Sequence, residues 1–360
     1  MTPKNITVSA PGRICLFGEH QDYLGLPVIT TAINLRIAIT GIKRNDKIFH
    51  LNLPDINSVE KIDLNQPIKY QQERDYFRSS LNVLLRQHID FPHGYDCQIH
   101  GNIPINSGTS SSSALIVAWI KFLLTIVADK RRDDPQEIAR LAHQAEVVEF
   151  NEPGGMMDHY ASSFGSILYI DFSVPNSQQR LPAKLGHFVL GDSQQPKDTK
   201  GILARVKDGT LKAMALLNQK NKKLSIKTIT VDELENFTTL LSEEQFHLIK
   251  ANIINRRLTQ QAKLMLQHNY VTPLEFGQLL NSHQQQLRDR LHISTPKIDM
   301  MIDAALKAGA PGAKINGSGG GGCMFAYAPD KYEQVAEAIA RAGGMPYVIT
   351  MAEGAKTEII

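Results

Sequence analysis

Along the first hundred residues, short runs of β-branched and aliphatic side chains alternate with loops: ITVSA near residue 6, PVITTAI near 27, RIAITGI near 36 and YDCQIHG near 95. Their Gly, Pro and Asn boundaries mark them as strands. Two helices follow, over residues 111–127 and from 134 to about 150, the second opened by an Asp-Asp-Pro start signal. Residues 166–172 and 187–190 return to a strand pattern on either side of a polar loop, SVPNSQQRLPAKLG. From 199 to 307 apolar positions fall three and four apart, as in EEQFHLIKANIINRRLTQQAKLMLQ, which predicts mostly amphipathic helix. The chain closes with two strand-like runs around a Gly cluster, a helix over 331–342 and a strand near 346–350. Strands and helices mix in both halves without regular strand-helix-strand alternation, so the pattern predicts an α+β architecture. Two domains are expected, 1–190 and 191–360, divided near Gly191.

Composition narrows the function classes. With 360 residues, 42% of them hydrophobic and 21% charged, the chain has enough apolar material for a sizeable core. Its 39 Lys plus Arg against 36 Asp plus Glu leave +3 over the whole length, too weak a field for a nucleic-acid footprint. Three isolated cysteines, Cys15, Cys97 and Cys323, supply neither a disulfide framework nor a zinc pattern, and a reducing compartment fits them. The start, MTPKNITVSAPGR, lacks the apolar stretch of a secretory signal. The longest apolar run, 114–128, is interrupted by Lys121 and falls short of the roughly 20 residues that span a bilayer. A cytoplasmic protein with no membrane or nucleic-acid partner is expected.

Four segments carry candidate chemistry. IPINSGTSSSSAL, residues 103–115, is a small-residue loop running into an apolar helix. Small side chains let a ligand approach the backbone, and a helix start offers unpaired N–H groups and positive dipole, a combination suited to phosphate. The same serines would also serve as an ordinary helix cap. KINGSGGGGC, 314–323, places five glycines in the six positions 317–322. Such a run is hard to order unless something approaches the main chain closely, and its ordinary alternative is a flexible linker. APGRICLFGEHQDYLG, 10–25, crowds Arg13, Glu19, His20, Asp22 and Tyr23 into one turn, a donor and acceptor set fit for a polyhydroxylated or anionic ligand. AEVVEFNEPGGMMDHY, 145–160, sets Glu146 on a helix end and Asp158 past a Pro-Gly-Gly bend. One carboxylate could hold Mg²⁺ and the other orient or deprotonate a hydroxyl.

In this order and spacing the segments resemble the GHMP kinase superfamily, which includes galactokinase, homoserine kinase, mevalonate kinase and phosphomevalonate kinase, over residues 10–323. The APGRxxxxGEHxDYxG element and the twelve positions separating Glu146 from Asp158 are similar to the galactokinase branch. The resemblance implies a ribosomal protein S5 domain 2-like N-terminal domain and a ferredoxin-like C-terminal domain. It also implies ATP and Mg²⁺ as cofactors and a sugar as acceptor. By that resemblance Asp158 lies beside the acceptor hydroxyl and Arg13 stabilises the transferring phosphoryl group, forming the catalytic pair. Glu19, His20, Asp22 and Gly155 would hold the sugar. Ser112 and Glu146 would hold the metal. Asn106, Ser107, Gly108, Thr109, Ser110, Ser111, Ser112 and Ser113 would cradle the nucleotide phosphates, with Gly319 and Gly320 supporting them and Tyr76 near the base.

The chain departs from the galactokinase pattern at Cys15, where that branch usually has Asn, at Asn106, Ser107 and Thr109 in the phosphate loop, and at Ser318 within the Gly run. GDSQQPKDTK, 191–200, is more similar to mevalonate-type branches. The favoured expectation is a kinase acting on a sugar hydroxyl, the anomeric one of galactose or a relative. A mevalonate-type kinase and a non-catalytic sensor of nucleotide and sugar are the alternatives.

Overall fold

The computed structural model describes residues 5–105, 107–152, 154–174, 177–197 and 199–359. β1 (Asn5–Phe17) and β2 (Val28–Lys43) form a long antiparallel ribbon. The two runs near 27 and 36 are thus one continuous strand. β3 (Ile48–Leu53) and β4 (Ser58–Asp63) make a hairpin whose exposed alternate positions hide it from a composition reading. α1 (Tyr76–Leu85) is followed by β5 (Tyr95–Gly101), which pairs antiparallel with β2 and parallel with β3. α2 (Ser111–Ile126) is apolar almost all round, and residues 113–114 and 116–126 are buried, as expected of a central helix.

α3 (Pro135–His143) starts where the sequence signals it: the Asp134 carboxylate accepts from the N–H groups of Gln136 and Glu137, and Pro135 occupies the first turn. The helix does not run evenly to 150. A single π-helical turn, Gln144–Val148, follows it and carries Glu146. α4 (Met157–Phe164) leads to β6 (Ile167–Ile170) and to a short edge strand, β7 (Gln178–Leu181), inside the segment read as polar loop.

β8 (His187–Asp192) begins a second sheet, and residue 190, the expected division, falls inside it. The helical stretch follows: α5 (Thr199–Lys220), α6 (Val231–Glu235), α7 (Glu243–Leu266), α8 (Pro273–Asp289) and α9 (Pro296–Lys307). Then come β9 (Gly312–Ile315), β10 (Cys323–Tyr327), α10 (Tyr332–Arg341), β11 (Met345–Thr350) and β12 (Lys356–Ile359). The first sheet has the order β12-β1-β2-β5-β3-β4, with β6 on β2 and β7 on β6; the second has the order β11-β8-β10-β9. The last strand therefore returns to the first sheet.

One core lies between the first sheet and α1 to α3, with Trp119 against Phe49, Phe77 and Phe122. Truncating such a buried ring to alanine typically costs about 3–5 kcal/mol. A second core joins the halves, packing Ile14, Phe17 and Ile29 with Phe188, Phe276 and Phe325. It holds β1 and the second sheet together beneath a cleft of about 670 Å³. Among the described residues no helix is long and apolar enough to cross a membrane. The α+β class is observed, as the pattern predicts.

Candidate active site

All four sequence segments meet at this cleft. β1 is irregular between Pro11 and Arg13 and again between Cys15 and Phe17. Gly12 lies so close to the phosphate-loop backbone that a Cβ there would sit 2.9 Å from the Thr109 carbonyl oxygen. Beside it the Arg13 N–H donates to that same oxygen (3.1 Å). The Arg13 side chain is buried; its Nε and Nη2 both lie 2.7 Å from Asp158 Oδ1, and Nη1 donates to the Gly108 carbonyl. Burial alone would lower the guanidinium's pKa and raise that of Asp158, yet their mutual attraction overrides it: Arg13 is raised and Asp158 held below the usual carboxylate range.

Asp22 sits on the same wall with the opposite perturbation. Burial, reinforced by the Asp158 charge, pushes its carboxyl up to about 6, against the pull of the Tyr23 and Met157 N–H groups and Arg13. Gly155 makes room for it: a Cβ there would stand 1.9 Å from Asp22 Oδ2. Two nearby carboxylates with separated pKa values suit separate tasks.

The start of α2 forms the opposite wall. Ser110 adopts a left-handed conformation (φ 60°) and offers no side-chain cap; its buried Oγ makes no hydrogen bond of normal geometry among the described residues, though it lies near enough to Asp158 to help hold that carboxyl's pKa down. The first-turn amides are thus not capped by the Ser110 side chain, and Gly108, Ser110, Ser111, Ser112 and Ser113 line the cleft there. Glu146 reaches the cleft from the π-helical turn, where its Oε2 lies 2.7 Å from His159 Nε2. Tyr76 lines the cleft half-buried, with its ring edge-on to Phe150, beside an ion pair of Arg74 with Glu152 (2.9 Å).

Several expected residues are placed differently. Glu19 touches the cleft, but its carboxylate is already engaged: Lys314 Nζ donates to Oε1, and Oε2 is sealed from solvent 3.7 Å from His283 Nδ1. It thus forms an ion pair between the two halves of the chain at the edge of the cleft. His20 is tied at both nitrogens, to Tyr23 Oη (2.7 Å) and the Ser318 carbonyl (3.0 Å). A carbonyl only accepts, so Nε2 carries the proton and Nδ1 accepts from the tyrosine. Burial lowers the ring's pKa to about 4, which keeps it neutral.

Ser107 and Thr109 are buried and bonded to each other (2.8 Å), with the Ser107 hydroxyl donating to the Pro104 carbonyl; they brace the loop from behind and do not line the cleft. Gly319 and Gly320 also lie off the cleft. The Gly320 N–H donates to the Ile293 carbonyl, and a Cβ on Gly319 would meet Ile293 at 2.5 Å. In their place Gly317 and Ser318 line the cleft. Asn106 lies outside the described residues, as does Asp198 within the 191–200 segment.

Sequence reasoning passed over four participants. Asn316 bridges β1 and the phosphate loop, accepting from Cys15 N–H (2.9 Å) and donating to the Gly108 carbonyl (2.8 Å). Lys314 anchors Glu19, His159 holds Glu146, and Lys197 enters from the second half of the chain. Two of them were within reach of motif reasoning, since Lys314 and Asn316 belong to the Gly-rich motif itself.

Comparison with known proteins gives the family. The GHMP kinases N terminal domain matches residues 75–166 and the GHMP kinases C terminal domain matches 272–344. The chain belongs to the GHMP kinase superfamily. The galactokinase galactose-binding signature matches residues 2–42. Relatives include a mevalonate kinase of Thermococcus sibiricus, 29% identical over 99% of each chain, and a galactokinase of Haemophilus influenzae, 29% identical over 93% of this chain and 88% of that one. Among solved structures, Lactococcus lactis galactokinase complexed with galactose has a TM-score of 0.86 at 23% identity, covering 99% of this chain and 95% of that one. Methanococcus jannaschii mevalonate kinase has a TM-score of 0.73 at 21% identity, with 96% and 98% covered. Both show the fold. This GHMP kinase is therefore a kinase of the sugar or mevalonate type.

Proposed function

We propose that this GHMP kinase transfers the γ-phosphoryl group of ATP to a hydroxyl of galactose or a closely related sugar, yielding the sugar 1-phosphate. The observation that carries this reading is the polar acceptor wall. Asp22 is seated by Gly155 next to the Arg13–Asp158 pair, within a segment that matches the galactose-binding signature. A polyol needs such acceptors and donors, and an apolar wall would serve it poorly.

In this reading the uncapped amides at the start of α2 receive the phosphates, and Arg13 neutralises charge on the group in flight. The acceptor oxygen attacks the γ-phosphorus as the bond to the β-phosphate oxygen breaks, and ADP departs. Phosphoryl transfer asks mainly for positioning and charge neutralisation. Asp158, held in its ionised form by Arg13, orients the hydroxyl and takes its proton late. Glu146 and Ser112 fit a divalent cation, because Mg²⁺ takes one or two protein oxygens and completes its shell with phosphate and water. When bound it would neutralise phosphate charge. Among the described residues no cluster of three or more ligating side chains exists, so such a site depends on the nucleotide's own oxygens.

A mevalonate-type kinase is the second reading, favoured by relatives such as the Thermococcus and Pyrococcus mevalonate kinases. Incubation of the purified protein with ATP and a panel of galactose, other hexoses, sugar acids and mevalonate separates the two. The proposal expects galactose or a stereochemical relative to give the highest kcat/KM; phosphorylation of mevalonate alone, or of no acceptor, overturns it.

A further inference from the structure

One cation in the cleft has no role so far. Lys197, on the loop after β8, reaches the phosphate loop from the second half of the chain and lines the cleft. Its path is cut by two glycines in positive-φ conformations. A Cβ on Gly322 (φ 72°) would stand 2.7 Å from Lys197 Cδ, and one on Gly108 (φ 91°) would stand 3.0 Å from Nζ. Any larger residue at either position would crowd the lysine, so the Gly-rich loop and the phosphate loop together form a channel for this side chain. Cross-loop bonds fix the channel: Cys323 N–H donates to the Ser107 carbonyl (2.6 Å), and Gly322 N–H to the Gln195 carbonyl (3.2 Å).

At the end of the channel the ammonium has no hydrogen-bond or ion-pair partner among the described residues, whereas Lys314 and Arg13, the other buried cations of the site, are fully engaged. A cation led to the uncapped start of a helix and left unpaired there has no structural task of its own. We propose that Lys197 is a further catalytic residue, which grips the terminal phosphoryl group of the nucleotide alongside Arg13. This rests on the kinase reading above and deepens it.

During transfer, the bond from phosphorus to the acceptor oxygen forms and the bond to the β-phosphate oxygen breaks, with the electron pair leaving on ADP. The acceptor's proton goes to Asp158 or solvent, and Lys197 keeps its own proton throughout. Burial, aided by the Arg13 charge and opposed by Asp158 and Cys323, lowers the free lysine's pKa to about 8. A bound polyanion restores the charged form.

Lys197→Met and Lys197→Arg test the assignment. The methionine variant is expected to keep the wild-type Tm and lose about 10²–10³-fold in kcat/KM for ATP, in the range seen when one preorganised charge donor is removed. The arginine variant should recover most of that loss. The wild type should lose kcat/KM as pH rises through about 8, and Lys197→Arg should shift this alkaline limb upward. Calorimetry of a non-hydrolysable ATP analogue against ADP supplies a readout that needs no acceptor: Lys197→Met should erase most of the preference for the triphosphate. A folded Lys197→Met protein with wild-type kcat/KM and an unchanged ATP-over-ADP preference overturns the role of Lys197 while leaving the kinase intact. A wild type that binds neither nucleotide overturns both.

Discussion

The two ends of the cleft are prepared in opposite ways. At the acceptor end, charged and ring groups are engaged by protein partners before any ligand arrives: Glu19 Oε1 with Lys314, its Oε2 left unbonded 3.7 Å from His283, and His20 with Tyr23 and Ser318. At the phosphate end they are left less matched among the described residues: Ser110 does not cap the α2 start, its Oγ makes no hydrogen bond of normal geometry, and the Lys197 ammonium has no hydrogen-bond or ion-pair partner. Buried polar groups normally find partners. An end that lacks them is one whose partner is the ligand; in the function proposed above that ligand is a polyanion, and the acceptor end is a template for a neutral polyol. The Arg13–Asp158 pair stands between the two ends and belongs to both.

The largest effect is expected where the template is stapled. Lys314→Met leaves the Glu19 carboxylate buried and unpaired, which should cost about 3–5 kcal/mol of stability. Adding Glu19→Gln should return most of it, a coupling that urea denaturation of the two single variants and the double variant measures. If the single and double variants were equally stable, the staple would be of no consequence. Next comes the group between the ends. Asp158→Asn keeps an oxygen for Arg13 but removes the charge, and should lower kcat by about 10²-fold or more. Binding of an ATP analogue should stay nearly unchanged by calorimetry; a loss confined to nucleotide affinity would move Asp158 to the phosphate end.

Gly155→Ala drives a methyl group into the Asp22 carboxylate and should raise the acceptor KM by roughly 10-fold, about 1.4 kcal/mol of binding, with KM for ATP unaffected. A rise in KM for ATP instead would mean that the bend serves the other end.

The smallest effect has the opposite sign on stability. The folded Asp22 carboxyl keeps its proton up to about 6, while an unfolded one releases it near 3.9. The folded state thus binds more protons in that window, and its contribution to stability declines as pH rises from about 4 to 6. Asp22→Asn removes the penalty. It should stabilise the protein by about 1 kcal/mol at pH 7 and not at pH 4, less than the full shift implies because Asp22 is only half-buried and solvent screens part of the cost. Denaturation at the two pH values checks this, and the acceptor KM should worsen in the same variant. Equal gains at both pH values would assign the change to packing rather than charge.

The two ends also differ in how far they could be read from the chain. The phosphate end is written locally: loop, small residues and apolar helix are contiguous, and Ser110 to Ser113 do face the cleft. The acceptor template depends on contacts across the whole chain. Glu19 is paired with Lys314, 295 positions away, and no local spacing announces that pair. Ser107 and Thr109 are small and polar like their neighbours, and only the turn geometry shows that their hydroxyls face inward. The Gly run is legible as a close approach of backbones, but what approaches Gly319 is Ile293, and what passes Gly322 is a lysine.

Among secondary elements, the capped α3 and the apolar α2 announce themselves, while β3, β4, β7 and β12 are short or half-exposed and depend on their neighbours for pairing. The π-helical turn that aims Glu146 leaves no periodicity signal, because one inserted residue shifts the face without changing composition.

The account rests on a nucleotide polyanion docked on the start of α2 with its terminal phosphate beside Arg13 and Asp158. A crystal structure of the protein with a non-hydrolysable ATP analogue and galactose tests this most directly. It should show phosphate oxygens on the amides of residues 110–113 and a galactose hydroxyl between Asp158 and the γ-phosphorus. A triphosphate bound away from the α2 start, or a sugar bound where Asp158 cannot reach it, would contradict the account.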